Sequence, residues 1–338
     1  MSARHAAHIG MICHLPQGVS NTSMGVRGGR LRVATKSRIH WLGTLAVAAL
    51  GWAHPASAVV SGGACDQLPQ RIPQRSADAS TATSLVQKFE GLGEDEREAA
   101  IAGELLAGNI PSFLRRLAPI RLTGRTPNGQ TVTVTFCALP DYLAIGSSRD
   151  FLLVPMRLQT ALMVASYYGF LLPTRKMVDA IYEQASLRLV PQPLPAGSEM
   201  RSTDYYRRHN LMIAEQRSRF GIAPGVLTAG DKKDLVLTNR LWRTPQSLAI
   251  YGWHRAVASP IQPLSTVHGA RYVDYSHGVR LVGPVAYVDG EPKALVDILQ
   301  DTELASVLSD EGAIRQLAAL WELLKTAAGP KGRDSTLR

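Results

Sequence analysis

The chain has 338 residues, with 37 Lys and Arg against 27 Asp and Glu, a formal net charge of +10. Six of the cations (Arg4, Arg27, Arg30, Arg32, Lys36, Arg38) and none of the acids fall in residues 1–58, so the remainder carries (37 − 6) − 27 = +4. That mild excess comes without an arginine stripe or an interleaved aromatic platform, so it does not argue for nucleic-acid binding, and none is expected.

Residues 43–52 (Gly43-Thr-Leu-Ala-Val-Ala-Ala-Leu-Gly-Trp52) form an apolar run behind Lys36 and Arg38, and Ala56-Ser57-Ala58 follows with the small-x-small shape of a signal peptidase site. The run is far short of the roughly 20 apolar residues of a membrane-spanning helix. A secretory signal cleaved after Ala58 is therefore expected, with a single uncleaved anchor as the alternative and at most a peripheral relation to the membrane. The segment ahead of the run is long for a basic leader, and Met24 is the expected start. The reading places a leader at 1–58, a Pro/Gln/Ser-rich linker at 59–82, one α+β domain at 83–328 and a disordered tail at 329–338. Cys13 belongs to the leader, which leaves Cys65 and Cys137 as the cysteines of a chain expected to be periplasmic or secreted. An oxidising compartment favours a disulfide between them; a nucleophilic Cys137 is the competing reading.

From about 83 to 117 the pattern is helical, broken at Gly108-Asn-Ile-Pro111, with Glu94 to Leu106 rich in Ala, Glu and Leu. Arg121 to Thr126 and Thr131 to Cys137 read as a hairpin turned at Asn128-Gly129. Helices are expected at 157–169 and 175–187, the second capped by Thr174, and again at 204–217 after a proline-rich surface crossing. Beyond Gly230 come short apolar runs at 235–237, 247–251, 272–274, 279–282 and 285–288, read as strands. Helices return at 294–299 and 312–326. This order gives an α+β fold, with helical N-terminal and central segments packed against a mostly antiparallel sheet from the second half.

Neither a phosphate-type glycine loop, nor His-Glu-x-x-His, nor Gly-x-Ser-x-Gly occurs, so nucleotide-binding enzymes and the commonest hydrolase motifs are disfavoured. Of the four histidines beyond the leader, three lie between Ile250 and Arg280. In Asp274-Tyr-Ser-His277-Gly278, a turn would bring Asp274 to His277, fixing the imidazole tautomer for a general base or a metal ligand. Candidate catalytic residues are His277, Asp274, His254, His268 and Ser276, and candidate substrate-binding residues are Arg280, Trp253, Tyr251 and Lys233. If a divalent metal is bound, His254, His268, Asp274 and His277 are its expected ligands, although their spacing fits no standard motif. Asp231-Lys232-Lys233-Asp234 reads as a solvated turn feeding a strand, with an anion site or buried ion pair as the alternative. The segment between Pro260 and Pro263 reads as a stiff loop.

Pro140-Asp-Tyr-Leu-Ala-Ile-Gly146, Leu172-Pro-Thr-Arg-Lys-Met-Val-Asp179, Ile250-Tyr-Gly-Trp-His254, Pro260-Ile-Gln-Pro-Leu264 and Val273-Asp-Tyr-Ser-His-Gly-Val-Arg-Leu-Val282 resemble a family of exported bacterial proteins of unassigned function. The resemblance spans about 130–285 and implies no reaction, ligand or catalytic residue. The sequence expectation is an exported hydrolase acting on an envelope or extracellular polymer, peptidoglycan or polysaccharide. A non-catalytic envelope- or glycan-binding protein is the alternative, with Trp242, Tyr251 and Trp253 as a stacking wall.

Overall fold

Thr81 opens the first long helix, α1 (Ala82–Phe89), its hydroxyl accepting from the Ser84 amide. The acid-rich first turn of α2 (Glu94–Leu106) complements the helix dipole, and Glu96 reaches back to the Gly93 amide at 2.9 Å. The computed structural model describes residues 63–66 and 71–327, which belong to one compact unit. The apolar run at 43–52, the cleavage site after Ala58 and the tail at 329–338 lie outside the described residues. Among those described, no helix is long and apolar enough to cross a membrane.

The fold is α+β. Strands β1 (Ala118–Arg125) and β2 (Thr131–Ala138) form the expected hairpin, closed by Thr126 and Gln130. Cys65 and Cys137 are joined by a disulfide, so Cys137 is no free nucleophile. Three longer helices follow: α3 (Leu158–Tyr168), α4 (Arg175–Gln184) and α5 (Thr203–Arg219). Thr174 caps α4 as expected, accepting from the Met177 amide at 3.2 Å.

The second half contributes β3 (Lys233–Leu235), β4 (Ile250–Ala256), β5 (Ser259–Ser265), the two-residue β6 (His277–Gly278), β7 (Val282–Val288) and β8 (Glu291–Ala294). The chain ends its described part in α6 (Leu295–Gln300) and α7 (Leu317–Thr326). One antiparallel sheet has the order β1-β2-β7-β8, so the early hairpin completes a sheet whose other strands come late in the chain. The other sheet has the order β6-β3-β4-β5, antiparallel except for the β6–β3 pair. Helix α4 packs against β1 of the first sheet and β4 of the second, tying them together.

Three expectations are corrected. Residues 259–265 form a strand rather than a stiff loop; β5 is the edge of its sheet, where Pro260 and Pro263 withhold no needed donor. Tyr272–Asp274 is not a strand, because the Asp274 carbonyl takes the His277 amide and its carboxylate takes the Ser276 amide, which makes a turn. Asp231-Lys232-Lys233-Asp234 is not a solvated turn. Asp231, Lys232 and Asp234 are buried and only Lys233 is partly exposed: β3 starts at Lys233, and Lys232 is turned inward, where its ammonium donates to the Tyr275 carbonyl.

Candidate active site around Asp274

The turn at 274–277 is held by one carboxylate. Asp274 Oδ1 accepts from the Ser276 amide (2.8 Å) and hydroxyl (2.5 Å), and Oδ2 accepts from the Tyr272 hydroxyl (3.0 Å). The turn brings His277 Nε2 within 3.8 Å of Asp274 Oδ2, an electrostatic contact rather than a hydrogen bond. Ser276 spends its proton on Asp274, so the hydroxyl is a brace for the turn and not a nucleophile activated by His277. Gly278 is required just after it: a Cβ there would come within 2.6 Å of the Tyr142 ring and 2.8 Å of Lys232 Cβ.

Asp274 is the electrostatic centre of a larger enclosure. Its charge acts on His209, Tyr206, His268, His277, Lys232 and Lys233. Three tyrosines and a tryptophan, Tyr205, Tyr206, Trp253 and Tyr275, form a buried aromatic cluster here. His209 meets Tyr275 at 4.9 Å and Trp253 at 6.1 Å between ring centres, and Lys233 Nζ lies 5.2 Å over the Trp253 ring. On the other flank His268 stacks on Tyr272 at 4.2 Å, and Tyr272 meets His277 edge-on at 5.7 Å. Lys233, His268 and Tyr272 are partly exposed, whereas His277 and His209 are buried.

The polar atoms of this enclosure are unusual. Both ring nitrogens of His277, His209 Nδ1, Trp253 Nε1 and the Tyr206 hydroxyl are buried without a hydrogen-bond partner. Buried polar groups are almost always paired, so five orphans around one carboxylate mark a place built to receive polar atoms. Burial holds the imidazoles neutral, pushing His277 down to about 4 and His209 down to about 2. Burial opposes the ionisation of Asp274, yet the His277 ring, Ser276 and Lys233 outweigh it and bring its carboxyl down to about 2.

Trp253 has φ of +56°, a left-handed backbone rare for a bulky residue, next to Gly252 at φ +108°. These two residues break the alternation of β4, whose pairing with β5 shifts on either side of them. Trp253 is thereby sent to the Asp274 enclosure, while Tyr251 and His254 meet on a different group. His254 Nε2 and the Tyr251 hydroxyl both donate to Asp179 Oδ1, at 2.9 and 2.7 Å. Tyr182 stacks on the His254 ring at 4.6 Å, and Arg175 lies 3.6 Å from Asp179 Oδ2.

The residues singled out in the sequence thus divide. Asp274, Ser276, His277, His268, Lys233 and Trp253 come together; His254 and Tyr251 belong to the Asp179 cluster. The four expected metal ligands do not converge, since His254 is committed to Asp179, and among the described residues no three His, Cys, Asp or Glu side chains form a metal-type group. Arg280 is no substrate ligand: it is fully buried, donates to the Leu139 and Thr228 carbonyls (2.8 and 2.6 Å), and lies 4.4 Å over the Tyr142 ring. Asp234, pushed up to about 7 by burial, accepts from Tyr142 and lies 4.0 Å from Arg280. Lys232 donates to the Tyr275 carbonyl at 2.6 Å and is pushed down to about 8 by burial.

Sequence reasoning missed His209, Tyr206, Tyr272 and Asp179. His209 and Tyr206 lie three apart on one face of α5, a readable spacing, and Arg175 and Asp179 are an i,i+4 pair in a phrase already noted. Comparison of the chain with family models, characterised proteins and solved structures finds no match.

Proposed function

We propose that the protein is an exported hydrolase acting on a cell-envelope or extracellular polymer, peptidoglycan or polysaccharide, with the Asp274 enclosure as its reaction centre. The observation that carries this reading is His277, a neutral buried imidazole with both nitrogens free, beside an ionised carboxylate. A neutral imidazole takes a proton from water as the water oxygen bonds to the electrophilic carbon of the substrate, and returns it to the leaving group as the scissile bond breaks. Asp274, 3.8 Å away, stabilises the imidazolium formed between those steps. Trp253 Nε1 and the Tyr206 hydroxyl are free donors for substrate oxygens or developing negative charge, and the surrounding rings supply stacking surface. Export is supported by the apolar run with its small-x-small site and by the Cys65–Cys137 disulfide.

The test uses protein purified from the periplasm of an expression host, incubated with peptidoglycan sacculi and a panel of polysaccharides while soluble fragments and new reducing ends are measured. The expected result is turnover of one substrate class that falls 10²–10⁴-fold in His277→Asn, with melting unchanged at pH 7, where the ring is neutral in the folded state. Undiminished turnover in that variant would remove His277 from the chemistry. Saturable binding by a parent with no turnover, lost in Trp253→Ala, would establish the glycan-binding alternative instead.

A further inference from the structure

We infer that a second, separate site on this protein binds an acidic polysaccharide in an open groove that runs past Arg240. Two clefts are involved. One, of about 590 Å³, has Asp179, Tyr251, Pro260 and Leu264 in its wall. The other, of about 900 Å³, has Trp242, Arg243, Thr244, Thr266 and Arg315. Arg240 and Glu311 line both, so the clefts adjoin at these two side chains. A groove of that extent suits a chain of sugar units better than a single small molecule.

The chemistry of the Trp242 end selects the ligand. The half-buried indole of Trp242 donates to the Arg315 carbonyl at 3.0 Å, which fixes its plane as a platform for a sugar face. Arg243 and Arg315 are exposed, and their guanidinium groups have no hydrogen-bond or ion-pair partner among the described residues. Arg240 is only loosely engaged, 3.8 Å from Glu311 and donating to the Leu264 carbonyl. Free planar guanidiniums match carboxylates in two-point geometry, and the Thr244 and Thr266 hydroxyls suit sugar hydroxyls. At the Asp179 end the balance reverses, with Asp179, Glu183, Asp310 and Glu311 against Arg175 and Arg240. Carboxylates of the ligand are therefore held at the arginine end.

This inference stands on the groove alone and holds whether or not the Asp274 enclosure turns over a polymer. Affinity electrophoresis of the full protein through gels containing polygalacturonate or neutral dextran tests it, with soluble polyglutamate as competitor. The expected result is retardation by polygalacturonate but not dextran, weakened about tenfold in an Arg243→Ser/Arg315→Ser variant and in Trp242→Ala, and unchanged in His277→Asn. The two arginines are exposed, so their replacement leaves the melting temperature unchanged and keeps the result interpretable. An unretarded parent, an arginine double variant retarded like the parent, or polyglutamate competing as well as free polygalacturonate would each overturn the assignment.

Discussion

Burial keeps His277 in its unprotonated form at neutral pH, and it also fixes the pH dependence of the ring. An exposed histidine titrates near 6.5, whereas this ring is pushed down to about 4. The working form is the neutral one, so its population holds as pH falls until the folded value is reached. The expected kcat/KM profile on the identified substrate therefore keeps its plateau from pH 7 to 5 and falls on an acid limb near 4. A limb near 6.5 would point to an exposed histidine as the base, roughly tenfold depleted in its neutral form at pH 5.5. The candidate dyad was legible in the sequence because Asp274, His277 and the turn-permitting Gly278 are local neighbours. Their companions were not, since Tyr206, His209 and Trp253 reach the enclosure from other elements, and Trp253 does so only through a left-handed backbone that no pattern of side chains announces.

At the scale of elements, helix α5 is anchored to the loop after β2 by charge. Arg217 donates to Asp141 Oδ2 at 2.5 Å and to the Thr228 hydroxyl at 3.0 Å, with Asp141 fully buried. Removing one partner strands the other in a dry interior, which costs about 3–5 kcal/mol, whereas replacing both with apolar groups of similar size is far milder. Arg217→Met is thus expected to lower the denaturant midpoint strongly and Asp141→Leu/Arg217→Met to restore much of it; two variants of equal stability would show that the pair does not work as a unit. Helix Glu94–Leu106, the β1–β2 hairpin and the Thr174 cap were readable because capping, turn and periodicity signals are local. Strand β5 was misread because its prolines argue against a strand anywhere except at an edge, and edge position is a property of the assembled sheet.

For the molecule as a whole, the buried titratable groups set opposing dependences of stability on pH. His209 and His277 have folded values below 6.5, so the stability they contribute is fully present above pH 6.5 and is lost as pH falls toward about 4 for His277 and about 2 for His209. Asp234, raised to about 7, works the other way, as does Asp231, also raised by burial: their contribution is fully present below about 3.8 and is lost as pH rises through the folded values. Each group tilts the curve by at most about 1.4 kcal/mol per pH unit, so two histidines and two aspartates largely cancel between about pH 4 and 6.5. Single variants expose the hidden slopes. Relative to the parent, His209→Asn should gain roughly 2 kcal/mol between pH 7 and 5, since no buried imidazole then resists protonation. Asp234→Asn should move oppositely, gaining as pH rises from 4 to 7. Melting curves at four pH values measure both, and variant-minus-parent differences that stay flat, or that tilt the same way in the two variants, would mean that burial does not hold these imidazoles and carboxyls in their neutral forms.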